Sequence, residues 1–98
     1  MRRILHGDVT SAARALLAVP QDDRGALMSQ IMTSARYADC YVKRFGRVHS
    51  EWGNGSLMAA ARQHPLAGEP SLSDKAYCTC LVMVLSQIIA EKAFIDGC

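Results

Sequence analysis

Apolar residues recur at three- and four-residue intervals along most of this chain, and the spacing predicts a succession of helices. The strongest such pattern is the stretch 71–95, SLSDKAYCTCLVMVLSQIIAEKAFI. There Ala76, Cys80, Leu81, Val84, Leu85, Ile88 and Ile89 fall on one side of a helix, opposite Thr79, Met83, Ser86 and Ala90. Val82, Val84, Ile88 and Ile89 also favour strand, but the length and the lack of an internal Gly or Pro favour helix. Ser71 and Asp74 are spaced as a capping box, with Ser73 as a rival cap, and Asp96-Gly97 supplies a stop. A helix apolar on most sides must be buried by several neighbours, so this segment is predicted to be the one the others wrap.

Three shorter patterns precede it. After His6-Gly7-Asp8, the run VTSAARALLAV places Val9, Ala12, Ala13, Leu16 and Leu17 on one face, with Asp8 or Thr10 as cap and Pro20 as terminator. A second helix is predicted from Asp22 or Asp23 to Phe45, with Leu27, Ile31, Ala35, Ala38, Val42 and Phe45 inward. Arg24, Ser29, Thr33, Arg36, Asp39 and Lys43 lie on its other side, and Gly46 ends it. Asn54-Gly55 marks a turn, and Ser56 caps a third helix through LMAAAR. His64-Pro65 and Gly68-Glu69-Pro70 then lead into the last helix. The predicted architecture is all-α: a compact bundle of about four helices with a long apolar C-terminal helix, residues 1–98 forming a single domain.

Composition narrows the class. Half of the 98 residues are hydrophobic, enough to exclude general disorder. A net charge of +2 does not indicate strong nonspecific DNA binding. The charge is uneven, with nine Lys/Arg against five Asp/Glu in residues 1–64 and two against four in 65–98. That asymmetry can orient a charged partner or help the two halves pack. The apolar run of the last helix is broken by Ser86 and Gln87, well short of the roughly 18–20 residues a membrane span needs. Met1-Arg2-Arg3 is not followed by the apolar segment of a secretory signal, so cytoplasmic residence with reduced cysteines is expected.

No recognisable active site emerges. GNGS, 53–56, resembles a phosphate-cradling turn at a helix start, with Arg47 or His49 nearby, but lacks the rest of a dinucleotide or P-loop motif. Arg36, Lys43, Arg44 and Arg47, with Trp52 and Ser56, make a candidate surface for an anion or a nucleic acid. Lys43 and Arg44 better suit a helix C-terminus, and Trp52 better suits an anchor for the loop than a base-stacking residue. His49, Glu51 and Ser56 are close in sequence, yet proximity alone creates neither a triad nor an oxyanion hole. Cys78-Thr79-Cys80 has neither redox-motif nor zinc spacing, and no metal or other cofactor is expected. Asp22 and Asp23 look like helix-start residues.

HGDVTSAARALLAVP and GRVHSEWGNGSLMAAA resemble segments of a family of small alphaproteobacterial proteins of unknown function, with an HGD-type start and a WGNGSL-type centre. The resemblance spans most of residues 3–90 and implies a bacterial cytoplasmic origin, but no activity and no site residues. The excess apolar surface of residues 77–94 points instead to a noncatalytic protein–protein interaction or adaptor domain, as a homo-oligomer or with another protein. Tyr77, Val82, Met83 and Phe94 are its contact residues. The alternatives are a small nucleic-acid-binding regulator using the basic end of the second helix, and a small anion-binding protein.

Overall fold

The first helix, α1 (His6–Leu17), lies at the centre of the fold in a computed structural model that describes residues 2–91. It packs against the three other helices: α2 (Arg24–Phe45), α3 (Leu57–Ala61) and α4 (Lys75–Glu91). Its sequence explains why. Ser11, Ala12, Ala13, Ala15 and Leu16 are all buried, and the three alanines offer so little bulk that neighbouring backbones approach on several sides. Leu16 joins Met28, Ile31 and Met32 of α2, Leu57 of α3, and Tyr77, Cys80 and Val84 of α4 in one core.

The helix ends follow local chemistry. A 3₁₀ turn over Gln21–Asp23 follows Pro20 and feeds α2, which runs 22 residues to Phe45. Gly46 then adopts a left-handed conformation and returns its N–H to the Val42 carbonyl, as its place after the last apolar residue predicts. Ser56 caps α3 by accepting the Ala59 N–H at 3.1 Å. The first helix starts one turn earlier than Asp8 or Thr10 as cap requires. Leu5 is the cap residue, and Asp8 reaches back from the third helical position to accept the Leu5 N–H at 2.8 Å. For α4 the cap is Asp74, which accepts from Tyr77 N at 2.9 Å, while Ser71 accepts from Ser73 N within the preceding turn. The chain between α3 and α4 is tied to α1: Arg14 Nε donates to the Ala67 carbonyl at 2.7 Å, and Ala67 N returns a bond to the Arg14 carbonyl.

The bundle of four helices is as expected, but the long apolar C-terminal helix is not. Among the described residues α4 spans 17, fewer than α2, and no helix is long and apolar enough to cross a membrane. Its sides are divided: Tyr77, Cys80 and Val84 are buried, Leu81, Met83 and Ile88 are partly buried against the core, and Val82, Leu85 and Ile89 face outward. The expected inward face, containing Leu85 and Ile89, is therefore rotated. On a helix with apolar groups on more than one side, periodicity leaves the phase open, and the large Tyr77 side chain takes the interior. Phe45, expected inside, is exposed because α2 extends beyond the core at that end, whereas Asp39, expected on the polar side, is buried.

Candidate functional site

The HGD start and the GNGS turn, some fifty residues apart in sequence, meet in space. Asp8 Oδ1 accepts the Met58 N–H at 2.9 Å while its other oxygen holds Leu5 N, so one buried carboxylate ties the starts of α1 and α3 together. Two glycines make the approach feasible. A side chain at Gly53 would collide with Ala59, and one at Gly55 would lie 2.7 Å from Asp39 Cα. His49 closes the loop: its Nδ1 accepts from Glu51 N and Trp52 N, both at 3.0 Å, and His49 and Gly53 exchange backbone bonds. Asn54 Oδ1 accepts from Ser56 N at 3.0 Å. Two of the N–H groups at the start of α3, those of Met58 and Ala59, are thus taken by Asp8 and Ser56. The cations lining the open cleft over Ser56 are Arg2 and Arg3, not Arg47. Sequence reasoning passed over both, since nothing local links residue 2 to residue 56.

The basic cluster is partly neutralised from within. Arg36 pairs with Glu91 at 3.1 Å, joining α2 to α4, and Lys43 pairs with Asp39 at 3.0 Å one helical turn earlier. Arg44 lies over the Phe45 ring, 5.7 Å from its centroid. Around these, Tyr37, Tyr41, Phe45, His49 and Trp52 form an aromatic group. Trp52 stacks on His49 (4.6 Å between centroids, 5° between planes) and meets Tyr37 edge-on at 5.0 Å. Tyr41 contacts both Phe45 and His49. Trp52 anchors the loop to α2, and Phe45, tilted against Tyr41, is 55% exposed.

Burial pushes the Asp39 carboxyl up, but hydrogen bonds and charge from its cationic neighbours, Lys43 among them, outweigh this and hold it below the ordinary Asp value. A carboxylate depressed in the folded state contributes stability that is present above its unfolded pKa and is lost as pH falls through the folded one. Asp39→Asn is therefore expected to flatten the acid side of the Tm–pH curve, with the largest Tm difference near neutrality and convergence with wild type at low pH. Thermal melts across the acid range check this.

The hydroxyl of Ser56 and the imidazole Nδ1 of His49 both serve the backbone, which accounts for two of the three polar groups at 49, 51 and 56. Cys78 and Cys80 carry free thiols. Cys78 Sγ donates to the Leu72 carbonyl, and burial pushes the Cys80 thiol up, away from a reactive thiolate. No cluster of His, Cys, Asp or Glu suited to a metal ion occurs among the described residues. Of the four contact residues expected on α4, Tyr77 is 1% exposed and belongs to the core, its phenol pushed up by burial. Met83 is half-buried against the core, Val82 is exposed, and Phe94 lies outside the described residues, as does Cys98.

The class defined by this geometry is a small all-helical domain whose polar interior groups hold the fold together. The chain belongs to the family described as Domain of unknown function (DUF7742), whose model matches residues 2–88. Comparison with curated proteins and with solved structures returns no match.

Proposed function

We propose that the protein is a noncatalytic interaction domain that associates with a second copy of itself through the outer face of α4. One observation carries this reading: Val82, Leu85 and Ile89 are 61%, 48% and 74% exposed. With Cys78 they follow a four-three-four spacing, the seam pattern of paired helices. Residues 76–90 contain no charged side chain, so a two-fold pairing of this face with itself meets no like-charge repulsion. Full burial of a Val, Leu or Ile side chain is worth about 1.5–3 kcal/mol, and pairing would gain the share of it that Val82, Leu85 and Ile89 still expose. Leu72, exposed just before α4, extends the apolar surface beyond the helix. Resemblance of the HGD and WGNGSL segments to alphaproteobacterial proteins supports a cytoplasmic setting in such a bacterium.

Light scattering coupled to size exclusion tests the proposal. Wild type is expected to elute as a dimer and Ile89→Asp as a folded monomer with an unchanged circular dichroism spectrum. A wild-type protein that stays monomeric at every accessible concentration overturns it. Salt-dependent binding to DNA or RNA, abolished by reversing Arg44 and Arg47, would instead favour a nucleic-acid regulator.

A further inference from the structure

Between α2 and the 47–56 loop lies a shallow cleft of about 360 Å³, lined by Ser29, Gln30, Thr33, Ser34, Tyr37 and Trp52. This is near the lower end of the roughly 300–1,000 Å³ typical of small-molecule sites. Ser29, Thr33 and Tyr37 stand four residues apart and form one row on α2; Gln30 and Ser34 begin the adjacent row. Trp52 supplies the wall. Its indole is held by the stack on His49 and by the edge of Tyr37, so the aromatic surface is already in place.

The chemistry of the lining is selective. None of these six side chains carries a charge at neutral pH, so a charged ligand finds no ionic partner in the lining. Hydroxyls within helices often bond back to their own backbone, as Thr79 does to the Lys75 carbonyl and Thr10 to that of Gly7. Ser29, Thr33 and Ser34 make no such bond among the described residues, and the Gln30 amide and Trp52 indole N–H are likewise available. A serine or threonine hydroxyl both donates and accepts, and an amide offers both functions side by side. The complement is a neutral molecule with many hydroxyls and one apolar face.

We propose that this cleft binds a saccharide. The apolar face of a sugar ring lies against Trp52, with Tyr37 bordering it, and its hydroxyls exchange hydrogen bonds with Ser29, Gln30, Thr33 and Ser34. The site shares no residue with the outer face of α4 and stands whether or not the protein associates through that face.

The chain has a single tryptophan, so its fluorescence and its indole N–H resonance report on this wall directly. Titration with maltose, cellobiose and diacetylchitobiose should give a saturable response for at least one of them. The double variant Gln30→Ala, Thr33→Val, altered at exposed positions of α2, should keep the wild-type melting curve and bind that sugar about tenfold more weakly. No saturable response to any of the three sugars overturns the proposal, as does equal affinity in the double variant. Tighter binding of adenosine than of every sugar also overturns it, because stacking of a base would then explain the aromatic wall.

Discussion

Gly55→Ala is expected to lower the unfolding free energy by about 2–6 kcal/mol, the sum of left-handed backbone strain and forced overpacking. Gly55 has a φ of +94°, which side-chain-bearing residues rarely adopt, and an added Cβ would lie 2.7 Å from Asp39 Cα and 2.8 Å from its Cβ. Both obstructing atoms are near the α2 backbone, so neither can swing aside as the tip of a flexible side chain would. Urea unfolding followed by circular dichroism measures the effect. A loss below about 1 kcal/mol would show that the loop can withdraw from α2 without disturbing the core. Gly25→Ala is the matched control, since nothing lies near a Cβ there and it sits within a helix. It is expected to be neutral or mildly stabilising.

Asp8→Ala should destabilise by a similar amount, about 2–6 kcal/mol, because it orphans two N–H groups at about 1–3 kcal/mol each. Leu5 N and Met58 N both point at this carboxylate, and Asp8 is only 6% exposed, so water reaches the vacated position poorly. Ser56→Ala removes one capping bond from the same junction and is expected to cost about 1 kcal/mol. The contrast separates a tie between two helices from an ordinary cap. If equilibrium unfolding gives equal losses for the two variants, Asp8 is not the link between α1 and α3 that its two bonds indicate.

Much of the helix layout was legible because its causes are local. Gly46 after the last apolar turn of α2, Ser56 before LMAAA, and Pro20 after α1 mark boundaries through backbone geometry that needs no distant partner. The caps of α1 and α4 were harder to place, since Asp8, Thr10, Ser71, Ser73 and Asp74 offer competing oxygens within a few residues. Asp74 takes the α4 cap and Asp8 acts from inside α1, and both outcomes depend on where the first turn docks.

The candidate sites were less legible. Arg36 and Lys43 read as free cations along the chain, yet they face Glu91 and Asp39. The first pairing spans 55 residues and has no local signal. The cleft has no signal along the chain because Ser29 and Thr33 read as part of an ordinary polar face until the loop brings Trp52 alongside.

By itself the amino-acid order determined an all-helical chain, the approximate span of each helix, and a surplus of apolar side chains near the C-terminus. Those follow from spacing and from turn chemistry within a few residues. Tertiary structure alone decided that the alanine-rich α1 is central, that Tyr77 turns inward while Val82, Leu85 and Ile89 turn outward, and that HGD meets GNGS. The reason is steric: with apolar side chains on more than one side, α4 has no preferred direction until small side chains on a neighbour let one side approach and leave another uncovered.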